Sequence, residues 1–187
     1  MDELKELVRE YRFWKNNLRT NIGESAPSKY GGRPMLLEPV LSNTIRGTGK
    51  TKQQARMLDL VREMLPDLHE PVMLTLNRNV TCLRHKDKRN IGHSYIAFLD
   101  GEVPFTGGQL IVEEPEGDRV IAQKDMWHKF SGNEHFHYNL PHTGDKLSIV
   151  AYQGQHKPTN LGPSAPRPSR PSPSQPPQAQ PGPGPGP

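Results

Sequence analysis

Hydrophobic positions along the chain follow two different periods. Leu4, Leu7, Val8, Tyr11, Trp14 and Leu18 recur at helical spacing, and Asp2 stands where an N-cap is wanted, so the pattern predicts a first helix with one apolar stripe. From Asn21 to Gly49, glycine, proline and serine recur without a period, which reads as a loop or extended segment. A second helix is predicted after Thr51: Thr51 and Gln54 form a Thr-x-x-Gln capping pattern, and Ala55, Leu58, Val61 and Leu65 keep the helical spacing until Pro66 stops it.

Beyond Pro71 the period falls to two. Strands are predicted near 72–77, 80–85, 94–99, 108–113, 118–122, 127–130, 134–138 and 146–152. Turn residues separate them: Asn90 with Gly92, Asp100-Gly101, Gly107-Gly108, Glu116-Gly117, Ser131-Gly132-Asn133 and Thr143-Gly144-Asp145. Short strands following two helices predict a mainly β, α+β chain, a two-sheet jelly roll with helices on one outer face.

Composition sets the limits of that domain. Of 20 prolines, 12 fall between Pro158 and Pro187, a segment with no Asp, Glu, Val, Ile, Phe, Tyr, Trp or Cys. Such a segment cannot bury enough apolar surface to offset its ordering entropy, so residues 158–187 are expected to be a disordered tail, suited by its proline content to a protein partner that reads PPII. The expected organisation is a helical support region at 1–70, a strand-rich jelly-roll core at 71–157, and the tail.

The net charge of +4 drops to +2 for residues 1–157, because the tail carries Arg167 and Arg170 and no acid. A domain this mildly basic permits a polyanionic partner without demanding one. Cys82 is the single cysteine, which excludes an intramolecular disulfide and a thiolate zinc cage within one chain and fits a reducing compartment; next to a strand, it is expected to be a core thiol. No segment has the apolar length of a signal peptide or membrane span, so an intracellular protein without membrane association is expected. Nothing in the pattern specifies an oligomer, and a monomer is expected. Gly47-Thr-Gly49-Lys50-Thr51 imitates the end of a phosphate-binding loop, but Thr44 stands where the first glycine is needed.

Six of the eight histidines lie between His85 and His142. His85 and Asp87 are two residues apart at a predicted strand end, so the pleat points both to one side of the sheet. One further imidazole, from His128, His135, His137 or His142, would complete a two-His, one-carboxylate triad of the kind that leaves positions open on iron for a co-substrate and dioxygen.

Four motifs in order sharpen this: His85-x-Asp87-x-x-Asn90, Gly107-Gly108-x-Leu110, His137 followed by Pro141-x-x-Gly144, and Lys146-x-Ser148 entering the last strand. Over roughly residues 70–152 the chain resembles the iron(II)- and 2-oxoglutarate-dependent dioxygenases of the TET/JBP group, which hydroxylate the methyl group of 5-methylcytosine or thymine in nucleic acid. The resemblance implies a double-stranded β-helix, a form of jelly roll. It implies Fe(II), 2-oxoglutarate and O2 as cofactors and co-substrates, with ascorbate as reductant, nucleic acid as the substrate partner, and a nuclear location where that substrate is genomic DNA.

Residue by residue, the resemblance implies catalytic metal ligands at His85, Asp87 and His137, with His135 as the rival third ligand. It implies Lys146 and Ser148 on the distal carboxylate of 2-oxoglutarate, and Asn90 and His142 on the substrate. Lys146 departs from the family's usual arginine, replacing a planar fork with a point charge. Asn77 and Asn79 suit pocket support or strand-end capping. Arg84, Lys86, Lys88, Arg89 and His93 form a basic patch that fits either phosphate contact or a solvated turn. The alternatives carried forward are a 2-oxoglutarate-dependent hydroxylase of a protein side chain or small molecule, and a non-catalytic jelly-roll binding module.

Overall fold

The computed structural model describes residues 1–15, 40–156 and 184–185. One compact unit spans Met1–Gln155 and a second spans His156–Pro187; nearly all of the expected tail, like Leu18 and the first part of the Asn21–Gly49 segment, lies outside the described residues.

Helix α1 covers Asp2–Glu10 and α2 covers Lys52–Met64. Asp2 is the first helical residue rather than the cap, which is Met1, so its carboxylate sits in the first turn. Tyr11 is already extended, which leaves Trp14 beyond the helix, 45% exposed. The start of α2 follows the predicted pattern: the Thr51 hydroxyl accepts from the Gln54 amide at 3.1 Å, while Gln54 Oε1 accepts from the Lys50 amide at 2.7 Å. Among the described residues no helix is long and apolar enough to cross a membrane.

The strands are β1 (Leu41–Arg46), β2 (Val72–Arg78), β3 (Ile91–Asp100), β4 (Thr106–Gly107), β5 (Leu110–Glu114), β6 (Gly117–Ile121), β7 (His128–Phe130), β8 (His137–Asn139), β9 (His142–Thr143) and β10 (Lys146–Gln153). They form an antiparallel five-stranded sheet in the order β1-β2-β10-β3-β7, a three-stranded sheet β6-β5-β8 and a short pair β4-β9.

Alternation along the large sheet divides the core in two. Val72, Leu74, Leu76, Leu147, Ile149 and Ala151 turn outward and pack with Leu4, Val8, Met57, Leu58 and Val61 of the two helices. Ile96, Phe98 and Phe130 turn inward and meet Leu110, Val112 and Ile121 of the smaller sheet. Helices on one face and a second sheet on the other make this a double-stranded β-helix, the jelly roll that strand spacing predicts.

Three local expectations change. The segment read as a loop contains β1, whose register places Ser42 opposite Asn77 and Thr44 opposite Thr75. Residues 80–85 form no strand: they run beside β8 and meet it through a bridge between His85 and His137 and through the Asn139 amide, which donates to Cys82 O at 3.0 Å. The strand expected at 134–138 begins only at His137.

Candidate metal centre and its cavity

The gap between the sheets holds a cavity of about 330 Å³. The large sheet supplies Thr75 and Asn77 from β2, Ser148, Val150 and Tyr152 from β10, and Ser42 and Thr44 from β1. His85, Asp87 and His137 close its other side.

Backbone contacts set these three side chains. His85 and His137 exchange amide-to-carbonyl hydrogen bonds at 3.0 Å in both directions, and the Asp87 amide donates to Gly132 O at 2.8 Å. Turns on both sides of the gap are thereby tied to one another. The Nδ1 of His85 faces Leu83 O, and Nδ1 of His137 lies 3.0 Å from His135 O. A carbonyl oxygen only accepts, so each Nδ1 carries the hydrogen and each Nε2 presents a lone pair.

Those lone pairs converge on a carboxylate. His85 Nε2 lies 3.3 Å from Asp87 Oδ1, and His137 Nε2 lies 3.2 Å from Asp87 Oδ2. Burial works against the charge of Asp87, but without a metal the His137 and His85 imidazoles, which donate from Nε2 when protonated, outweigh it and hold the carboxyl below the usual carboxylate range. Electron pairs from two neutral imidazoles and one carboxylate at this separation repel unless a cation lies between them. The donor set, two nitrogens and one oxygen, fits a divalent first-row metal such as iron(II). Gly132 keeps the approach clear: a Cβ there would stand 3.1 Å from Asp87 Oδ2 and 3.3 Å from His137 Cε1.

His85, Asp87 and His137 form a group with ligand atoms within 4.8 Å of one another. The other histidines are elsewhere. His128 Nε2 bonds Gln123 O at 2.7 Å, and His135 contributes its carbonyl, not its ring. His142, expected at the substrate, does not line the cavity. Its Nε2 donates to Asn79 Oδ1 at 3.1 Å, and burial, helped by the Lys146 charge, pushes its pKa down.

Asn90 does line the cavity, in the turn that follows Asp87. Ser148 lines it as well. Lys146, two residues earlier on the same face of β10, is 2% exposed, and its Nζ donates to Gly108 O at 2.8 Å. Burial pushes its pKa down to about 8, against a smaller upward influence of Cys82. Among the described residues no carboxylate pairs with this ammonium, so it is a buried cation compensated by a carbonyl and by the Phe98 ring, whose centroid lies 5.0 Å from Nζ.

Other expectations are revised by the same geometry. Cys82 is half-buried on the cavity wall rather than in the core. In the basic patch, Arg84 is engaged twice, with Glu113 at 2.6 Å and over the Phe136 ring at 3.8 Å, and His93 bonds Ser131. Sequence reasoning missed Ser42, Thr44, Thr75 and Tyr152 as wall residues. A signal existed on β2, where Thr75 and Asn77 alternate with Leu74 and Leu76.

No family model matches the chain, and no curated protein matches it. Solved structures do. An oxidoreductase of the 2-oxoglutarate–iron(II) oxygenase family from Burkholderia pseudomallei is similar with a TM-score of 0.59 at 12% identity, over 83% of this chain and 79% of that one. A prolyl-4-hydroxylase from Pseudomonas putida gives a TM-score of 0.49 at 18% identity, over 63% of this chain and 70% of that one. The first likeness is one of fold, and it is to the double-stranded β-helix described above. Fold and site together define a jelly-roll protein with a two-His, one-carboxylate cluster opening on an internal cavity.

Proposed function

We propose that the chain is an Fe(II)- and 2-oxoglutarate-dependent dioxygenase that hydroxylates an organic substrate. The convergence of His85 Nε2, His137 Nε2 and the Asp87 carboxylate carries this reading. The chemistry supplied there is oxidative decarboxylation of 2-oxoglutarate to succinate, coupled to insertion of oxygen into a substrate C–H bond. His85, Asp87 and His137 would hold the metal on one side and leave its cavity side open. Lys146, a buried ammonium without an acidic partner, would receive the far carboxylate of 2-oxoglutarate, and Ser148 would hydrogen-bond it. The sheet walls exclude bulk water and orient what enters.

The finer reading is a methyl group on a base in nucleic acid, 5-methylcytosine or thymine. Asn90 in the cavity wall supports it, as do Lys86, Lys88 and Arg89 on the same turn, whose cations suit phosphate. A base inside a duplex must be flipped out or taken from a single strand to reach such a cavity. Genomic DNA as substrate would put the protein in the nucleus. His142 contacts Asn79, so a substrate role for it would require that contact to open.

The test is succinate formation from 2-oxoglutarate with iron(II) and ascorbate, followed by mass spectrometry of nucleosides after incubation with methylated DNA. Succinate is expected from the wild type and absent from His85→Ala, Asp87→Ala and His137→Ala. Absence of succinate under every condition overturns the enzyme reading and leaves a jelly-roll binding module. Succinate without hydroxymethyl, formyl or carboxyl cytosine redirects the substrate to a protein side chain or small molecule.

A further inference from the structure

Ser42, Asn77 and Ser148 stand in one row across three strands, since the register pairs Ser42 of β1 with Asn77 of β2 and Asn77 with Ser148 of β10. All three are buried and all three line the cavity. Their hydrogen bonds run in one direction. The Ser42 hydroxyl donates to Asn77 Oδ1 at 2.6 Å, and Asn77 Nδ2 donates to Ser148 Oγ at 3.3 Å.

That polarity decides what Ser148 offers. A hydroxyl has one hydrogen, and when its oxygen accepts from an amide the hydrogen remains to be donated elsewhere. A carboxylate only accepts, so a donor is what it needs. Lys146, on the same face of β10, brings charge but little direction, because an ammonium on a four-carbon stem imposes no planar geometry. An arginine at that position would bring charge and direction together.

Resting on the dioxygenase reading above, we infer that Asn77, held by Ser42, is a positioning residue that fixes the Ser148 hydroxyl as a donor to the far carboxylate of 2-oxoglutarate. The Ser42-Asn77-Ser148 row thereby supplies the directionality that the lysine lacks. Ser42 is part of it because β1 extends the sheet by one strand beyond β2.

The test is calorimetric titration of 2-oxoglutarate into full-length protein loaded with Mn(II), which reads binding without turnover. Wild type is expected to bind. Ser148→Ala is expected to lose about tenfold in affinity, the scale of one hydrogen bond to a charged group. Asn77→Asp, nearly isosteric but able only to accept there, is expected to turn the Ser148 hydroxyl onto itself and lose a similar factor, with Mn(II) affinity unchanged. The Asn77→Asp, Ser148→Ala double variant is expected to bind no more weakly than Ser148→Ala alone. Asn77→Leu takes the place of Asn77→Asp in the same cycle where the charged variant does not fold. Wild-type affinity in the Asn77 variants, or losses that add in the double variant, would overturn the inference while leaving the dioxygenase reading standing. Mn(II) binding with no 2-oxoglutarate binding in the wild type would overturn both.

Discussion

The main chains of His85 and His137 hold each other in place, each amide donating to the other's carbonyl at 3.0 Å across an isolated antiparallel bridge. Their rings lie 4.3 Å apart, centroid to centroid, with Asp87 reaching both. Two residues distant in sequence are thus paired by backbone, and each ring is oriented by the carbonyl two residues before it. Backbone pairing and these carbonyl contacts thus preorganise the donor atoms that a metal would use.

Gly132 is the nearest test of that preorganisation. A methyl group there would stand 3.0 Å from Phe130 Cε2 and 3.1 Å from Asp87 Oδ2. Gly132→Ala is expected to keep the fold and to weaken metal affinity by about 10–100-fold, the usual scale for disturbing the groups around ligands. Competition between the protein and a metal-sensitive dye for Mn(II) measures it. Unchanged affinity would mean that the Asp87 carboxylate moves aside without cost.

Lys146 predicts a pH dependence. Its pKa is pushed down to about 8 by burial, and the protonated form is the one that pairs with a carboxylate. Binding of 2-oxoglutarate to the Mn(II)-loaded protein is therefore expected to be constant below pH 8 and to weaken above it. For stability, the unfolded lysine keeps its proton to about pH 10.4 whereas the folded one releases it near 8, so stability rises with pH across that window. Below pH 8 the buried charge is a standing cost. Lys146→Met is expected to raise the Tm at pH 7 and to abolish 2-oxoglutarate binding. A lower Tm would show that the bond to Gly108 O outweighs the burial of the charge.

Leu4 tests whether α1 belongs to the folding unit. It is fully buried against the outer face of the large sheet and α2. Leu4→Ala is expected to cost about 2–5 kcal/mol in urea unfolding. A cost near zero would mean that α1 docks without contributing to the core.

The tail has its own test. The described cavity wall runs no further along the chain than Tyr152, and residues 158–187 hold 12 of the 20 prolines and no Val, Ile, Phe, Tyr or Trp. Truncation after residue 157 is expected to leave succinate formation and Tm unchanged. Failure of the truncated protein to fold would move the domain boundary.

Where burial and local chemistry coincide, the sequence alone was sufficient. Thr51 and Gln54 marked the start of α2 because capping acts within one turn, and the apolar alternation of β10 was plain because its outward side chains meet the helices. His85 and Asp87 were legible as a pair from their spacing, although the strand end assumed for them does not form and backbone bonds to His137 and Gly132 are what bring the two side chains together. β1 was hidden for the opposite reason: Ser42 and Thr44 face a polar cavity, so no apolar alternation announced a strand. Nor could spacing choose among His128, His135, His137 and His142, or make the Ser42-Asn77-Ser148 row visible. These depend on which strands lie side by side and at what register. That is decided when the sheets close over a shared core, through hydrogen bonds between segments that carry no mark of one another in their own composition.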